Sequence, residues 1–276
     1  MGLYFTSINS GSNGNCYYVG NDQEAILVDV GLTCKEVERR MARLNLPIHK
    51  IKAIFISHEH TDHIKGLSVF ARKYKLPVYI SSATLKSSSV LLDETCIRPI
   101  QHLQSVMIGN LKVAPFSKFH DAADPYSFTI EYNDVRVGVF TDIGAVCDRL
   151  IEQFKTCHAA FLEANYDTEM LEKGKYPYFL KKRIMGGHGH LSNKQALDLF
   201  MSHKSAYLSH LLLSHLSKDN NDPDLVEQLF KTACGNTYVK VASRYEESEV
   251  YFVGQQANKT YHFNPEEYQP EQLNLF

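Results

Sequence analysis

The 276-residue sequence contains no CxxC pair. Its six cysteines, Cys16, Cys34, Cys96, Cys147, Cys157 and Cys234, are scattered. That scatter argues against a cysteine-zinc site and a disulfide framework, and favours reduced thiols in a cytoplasm. No apolar run is long enough to cross a bilayer, so no membrane association is expected. The opening MGLYFTSINSGSNGN lacks a basic stretch followed by an apolar run and does not read as a signal peptide. Charge of one sign is missing too: the net charge is −2, and composition alone makes no case for a nucleic-acid partner. No repeat or linker interrupts the chain. With 44% hydrophobic and 22% charged residues, it reads as one large domain over 1–263. The polar, acidic segment 264–276 reads as a flexible tail. What the sequence has in quantity is histidine, thirteen in all.

Hydrophobic patterning predicts strands at Leu3–Ile8, Cys16–Val19 and Ala25–Val30, with the Gly/Ser/Asn segment Ser10–Asn15 turning between the first two. A helix over Thr33–Leu44 precedes Lys52–Ser57, a continuous apolar run suited to a buried strand. A helix from about His63 to Tyr74 leads to a strand at Val78–Ile80. Further strands are expected at Leu111–Phe119, Tyr126–Tyr132 and Val135–Thr141, the last two joined by an Asn133-Asp134 hairpin turn. Helices and strands then alternate: Ala145–Phe154, Ala159–Glu163, Ser192–His203, Tyr207–Ser214 and Pro223–Thr232. Ser192 and Gln195 have capping-box spacing, which starts that helix at Ser192.

The strongest chemical signal is His58-Glu59-His60-Thr61-Asp62-His63, where a buried strand gives way to a helix. Four ligand-type side chains in six residues cannot share one face of a helix or strand. A loop at a strand end can turn them inward onto two neighbouring cations. Imidazole suits zinc, manganese or iron, and a mixed imidazole and carboxylate set suits a pair of divalent ions. The bland alternative is a solvated polar loop.

HEHTDH resembles the HxHxDH signature of the metallo-β-lactamase superfamily, and later segments match its other elements in order. The resemblance implies an α/β fold, the four-layer αββα metallo-β-lactamase sandwich. It implies that Asp29, ending ILVDV, orients the metal-binding loop. It further implies that one metal takes His58, His60 and His120, that a second takes Asp62, His63 and His215, and that Asp142 bridges them. Zinc or manganese ranks ahead of iron. Diiron-flavoprotein relatives carry Glu where His60 stands, which speaks against an oxidoreductase. Two ions about 3.5–4 Å apart activate water and stabilise attacking and leaving oxygens, a chemistry equally suited to phosphodiesters, lactams and thioesters.

The second half narrows the substrate. LEANYD (162–167), GHLSN (189–193) and HLSKDNN (215–221), with GSNGNC (11–16) and HDAADP (120–125), resemble the nuclease branch and, within it, the YycJ/WalJ group of DNA exonucleases. The resemblance makes Glu163 a support for the ligands and His190 the acid that assists the departing alkoxide, with Asp62 and Asp142 also catalytic. His188 competes with His190 for that role. Unpaired N–H groups at the Ser192 helix start would face a phosphate. Lys173, Lys175, Lys181, Lys182, Arg183 and Lys194 surround this segment, with Tyr176, Tyr178 and Phe179 interleaved. Such a mixture tracks a nucleic-acid backbone, or is merely the solvated face of an amphipathic helix. Candidate substrate contacts are therefore Ser12, Asn13, His188, Ser192, Asn193, Lys182 and Arg183.

The sequence ends Gln272-Leu273-Asn274-Leu275-Phe276, which resembles the QLxLF peptide by which bacterial DNA-processing proteins dock on the replication sliding clamp. Gln272, Leu273, Leu275 and Phe276 are the expected contacts, and the alternative is that they pack on their own domain. The reading that results is a cytoplasmic two-metal DNA exonuclease serving replication or mismatch repair. Its rivals are an RNA-processing nuclease, a small-molecule hydrolase of cyclic phosphodiesters, thioesters or lactams, and a DNA-bound scaffold without catalysis.

Overall fold

The computed structural model describes residues 1–254. The expected tail at 264–276, with Gln272, Leu273, Leu275 and Phe276, lies outside the described residues, as does the boundary drawn at 263.

The chain first lays down β1 (Gly2–Asn9), β2 (Cys16–Gly20), β3 (Ala25–Val28), β4 (Ile51–Phe55), β5 (Val78–Ile80) and β6 (Ile97–Pro99). A second sheet follows from β7 (Val106–Ile108), β8 (Leu111–Ser117), β9 (Tyr126–Tyr132), β10 (Val135–Phe140), β11 (Ala159–Glu163), β12 (His210–Ser214) and β13 (Tyr238–Val241). β14 (Tyr251–Gly254) returns to the first sheet beside β1. The sheet orders are β14-β1-β2-β3-β4-β5-β6 and β13-β12-β11-β10-β9-β8-β7. Each sheet is antiparallel at one side and parallel at the other, with β3 to β6 and β10 to β13 as the parallel runs.

Alternation along the strands sends side chains to two cores. On β2, Tyr17 and Val19 enter the layer between the sheets, while Cys16 and Tyr18 face the helices. The inter-sheet layer contains Phe5, Phe55, Phe128 and Phe161, all fully buried. Helices α1 (Cys34–Arg43) and α3 (Leu67–Tyr74) close the first sheet with Val37, Met41, Leu67 and Phe70. On the second sheet α5 (Asp148–Phe154), α8 (Asn193–His203) and α9 (Pro223–Lys231) supply Phe154, Phe200 and Phe230. Burying one such aromatic or aliphatic side chain contributes about 1.5–3 kcal/mol. The four-layer αββα sandwich is therefore present. The remaining helices are α2 (Thr61–Ile64), α4 (Ser82–Ser87), α6 (Thr168–Lys173) and α7 (Tyr178–Met185).

Several expected boundaries shift for identifiable reasons. The helix expected over His63–Tyr74 is two pieces, because the chain turns at Gly66, whose N–H donates to Val30 O at 2.9 Å. A Cβ at Gly66 would lie 1.9 Å from Leu32 O, so the close approach requires glycine. The strand expected to reach Phe119 stops at Ser117, so His120 projects from a loop rather than from the strand end. Asn133 and Asp134 both have positive φ (47° and 63°), the two-residue hairpin turn expected from their identities. No helix among the described residues is long and apolar enough to cross a membrane.

Candidate active site

Parallel strands place their C-terminal ends together, and open α/β sheets carry their sites there. The residues that leave those ends meet at one point. Asp29 follows β3, the segment Ser57–His63 follows β4, Asp142 follows β10, Glu163 ends β11 and His215 follows β12. Asp29, Asp142 and His215 all have positive φ (63°, 54° and 57°), a conformation uncommon for residues other than glycine. The reversal aims each side chain inward instead of along the strand. Backbone of this kind recurs at functional sites.

The ligand-type atoms fall into overlapping groups, each with all its atoms within 4.8 Å of one another. His58, His60 and His120 make one; Asp62, His63 and His215 make another. Asp142 joins His58 and His63 in a third, and Glu163, His190 and His215 in a fourth. All seven residues expected as metal ligands are therefore brought together, with Asp142 between the two histidine groups.

The outward nitrogen of four rings is already committed. His120 Nδ1 lies 3.0 Å from the carbonyl of Gly189, which can only accept, so Nδ1 carries the hydrogen. His63 Nδ1 donates to Asp29 Oδ2 at 2.7 Å, and His215 Nδ1 to Glu163 Oε1 at 3.2 Å. The Ser57 hydroxyl donates to Asp29 Oδ2, which leaves its oxygen to accept from His58 Nδ1 at 2.9 Å. In the neutral ring each of these bonds points a lone pair at Nε2 into the site, the arrangement that prepares histidine for a metal. His58 Nε2 and His60 Nδ1 stand 3.0 Å apart, and His120 Nε2 is 3.4 Å from the same His60 nitrogen. One shared proton serves a single pair of such nitrogens, whereas a divalent cation serves all three. Asp142 Oδ2 is buried without a hydrogen bond, with His63 Nε2 3.3 Å away. An orphaned carboxylate oxygen facing convergent imidazoles fits a divalent-metal centre.

Electrostatics agree. Burial resists charge on His63 and His215, but facing carboxylates, Asp142 foremost, outweigh it and raise both pKa values, that of His215 to about 10. Burial likewise opposes ionisation of Asp62, Asp142 and Glu163, yet neighbouring imidazoles hold all three below the usual carboxylate range. The same negative field attracts a cation. Burial depresses His58 and His120 instead, the latter to about 4.

Glu163 ties the second half together. Oε1 accepts from His190 Nδ1 at 2.8 Å as well as from His215, and Oε2 accepts from the N–H groups of Ile143 and Leu191. His190 remains partly exposed, its ring 5.2 Å from that of His120 and 5.3 Å from that of His215. It stands at the mouth with Nε2 unconstrained by the Glu163 contact. His188 lies outside the ligand groups and stacks on Phe119.

The other expected contacts are dispersed. Ser12 and Asn13 are exposed and tied to Arg244, through Ser12 Oγ at 3.1 Å from its guanidinium and Asn13 Nδ2 at 2.7 Å from its carbonyl. Ser192 is the N-cap of α8 in a full capping box, and Asn193 is buried against Asn221. Lys182 lies over the Tyr178 ring, and Arg183 pairs with Asp121, next to His120. Four participants were not singled out from the sequence. Ser57 bridges Asp29 to His58, and Asn15 reaches Asp62 and His63. Asn165 holds His215, while Lys118 is buried with Nζ 2.6 Å from Thr141 O. Glu59, inside the motif, accepts from Ala123 N and so ties the motif loop to the loop carrying His120.

A histidine and carboxylate centre of this donor set, at the mouth of a four-layer αββα sandwich, defines a divalent-metal-binding protein of the metallo-β-lactamase fold. Residues 24–215 match the model of the beta-lactamase superfamily domain, and the chain belongs to the metallo-β-lactamase superfamily, of the YycJ/WalJ type. It is 38% identical to Exodeoxyribonuclease YycJ of Bacillus anthracis, over 82% of this chain and 86% of that protein. It is 32% identical to Exodeoxyribonuclease WalJ of Streptococcus pneumoniae over the same shares. Among solved structures, the metallo-β-lactamase fold protein YhfI from Bacillus subtilis superposes with a TM-score of 0.71 at 19% identity, covering 92% of this chain and all of that one, a likeness of fold.

Proposed function

We propose that the chain is a metal-dependent exonuclease that hydrolyses phosphodiester bonds of DNA from an end. The relatives named as exodeoxyribonucleases support the substrate. The observation that carries the chemistry is the Glu163–His190 pair beside the ligand cluster. Two divalent ions, zinc or manganese, would be held by His58, His60 and His120 and by Asp62, His63 and His215, with Asp142 shared. When bound, such ions activate water near neutral pH and stabilise oxygen charge in the transition state. The chain's own residues do the rest. Asp29 and Glu163 hold the rings in the tautomers that face the site. His190, with Nδ1 fixed by Glu163, presents Nε2 to the departing alkoxide and supplies its proton. Asp62 and Asp142 furnish the charge that holds the centre together. His188, Lys182, Arg183, Ser12 and Asn13, all exposed, would be the polar groups that meet the entering strand, and Ser192 and Asn193 would shape the α8 start for it.

The finer assignments belong to the same reading: a catalytic domain over 1–263, a cytoplasmic location, a role in replication or mismatch repair, and a sliding-clamp contact through Gln272, Leu273, Leu275 and Phe276. The clamp contact is supported by the QLNLF sequence. The test is hydrolysis of end-labelled DNA and RNA with added zinc or manganese. Stepwise shortening of DNA, abolished by Asp142→Ala and slowed about 100-fold or more by His190→Ala, supports the reading. Preferred shortening of RNA moves the substrate to RNA. Cleavage of small esters or cyclic phosphodiesters with neither polymer touched overturns the nuclease reading and keeps the fold.

A further inference from the structure

Three loops that each carry a residue of the centre also build a second feature beside it. Phe119 precedes His120, His188 lies two residues before His190, and Gly144 lies two residues after Asp142. The rings of Phe119 and His188 stack, with centroids 5.7 Å apart and planes 22° from parallel. Both residues are exposed, Phe119 at 39%, and Phe119 belongs to none of the hydrophobic clusters that fold the chain. The Arg149 guanidinium lies over the Phe119 ring at 5.6 Å, and its Nε is buried without a hydrogen bond.

The backbone holds this pair firmly to the centre. Gly144 N donates to Phe119 O at 2.6 Å, and His120 Nδ1 donates to Gly189 O at 3.0 Å. A Cβ at Gly144 would lie 2.5 Å from both Gly187 O and His188 Cα, so only glycine lets the His188 loop lie against it. Phe119 is thus one Cα step, about 3.8 Å, from a residue of the centre, on a scaffold with little freedom to move away.

We propose that Phe119 and His188 are a stacking platform for the nucleobase of the terminal nucleotide, placing its phosphodiester at the histidine cluster. The proposal rests on the nuclease reading and adds to it the residues that grip the end of the strand. Every base has a π-face, so a stacking platform holds a strand end without reading its sequence. An aromatic pair capped by a guanidinium suits a flat heterocycle joined to an anionic backbone, because Arg149 can serve ring and phosphate together. An exonuclease that advances one nucleotide at a time needs such indifference at its terminal subsite.

The experiment uses the metal-loaded full chain and two end-labelled oligonucleotides of one sequence. One ends in an ordinary nucleotide and the other in an abasic one, placed at whichever end the enzyme attacks. The readout is the ratio of kcat/KM for the first cleavage of the two substrates. Wild type prefers the base-bearing end. In Phe119→Ala that preference falls about tenfold, mainly through KM, within the range that base stacking on an aromatic supplies. Phe119→Trp retains it, and His188→Ala moves in the same direction as Phe119→Ala. An unchanged ratio in Phe119→Ala, with melting temperature intact, overturns the platform and leaves the nuclease reading standing. Absence of DNA cleavage by wild type overturns both.

Discussion

Asp29 Oδ2 and His63 Nδ1 lie 2.7 Å apart, both side chains fully sequestered from solvent. The same carboxylate accepts from the hydroxyl and the backbone N–H of Ser57, and so positions His63 directly and His58 through Ser57. Asp29→Asn is expected to leave the fold in place and to weaken metal binding about 10–100-fold, the usual cost of losing an outer partner of a ligating histidine. Competition against a chromophoric chelator measures it. Wild-type affinity in the variant would remove Asp29 from this role.

Gly31 sits where two functional loops touch. A Cβ there would lie 1.7 Å from the carbonyl of Asp62 and 2.5 Å from Asn15 N, which itself donates to that carbonyl. Gly31→Ala therefore forces the motif loop outward. Overpacking of this kind costs about 1–3 kcal/mol, and here the strain falls on the backbone of Asp62. Urea unfolding should show the loss, and chelator competition should show weaker metal binding in the fraction that folds.

His210 on β12 is buried among Phe5, Tyr238 and Tyr251, and burial lowers its pKa to about 4. The unfolded chain takes up this proton near the ordinary imidazole value of about 6.5, the folded chain only near 4. The contribution to stability is thus complete above about pH 6.5 and is lost as pH falls toward 4. At pH 5 the loss is on the order of 2 kcal/mol. His210→Phe should flatten this part of the curve. Parallel urea titrations of the two metal-loaded proteins at pH 7 and pH 5 check it, and equal slopes would count against the assignment.

Deleting residues 272–276 should leave shortening of free DNA at the wild-type rate while abolishing capture by an immobilised sliding clamp. Equal capture by the truncated protein would exclude the clamp contact at these residues.

Much of the centre was legible because its residues announce themselves locally. HEHTDH packs four ligand-type side chains after an apolar run, and the β9–β10 hairpin carries its turn in Asn133-Asp134. Strands such as β5 and β9 match their expected bounds because turn residues flank them, Pro77 and Ser81 for the one and Pro125 and Asn133 for the other. β6, β7, β13 and β14 are three or four residues long and mostly half-exposed or at sheet edges, so no alternation had room to show. Ser57, Asn15 and Asn165 were illegible for another reason. Small polar residues are common, and their importance lies in partners far away in the chain, such as Asp29 for Ser57 and His215 for Asn165. Lys118 looked like an ordinary strand lysine until its buried position beside Asp142 was visible.

Each three-residue cluster draws two members from the segment after β4 and one from the loops of the second sheet: His58 and His60 with His120, His58 and His63 with Asp142, and Asp62 and His63 with His215. An ion held by any of these clusters would therefore be a rivet between the two halves of the sandwich rather than an ornament on one of them. Neither half alone presents a complete set, so ion uptake reports that the halves have docked.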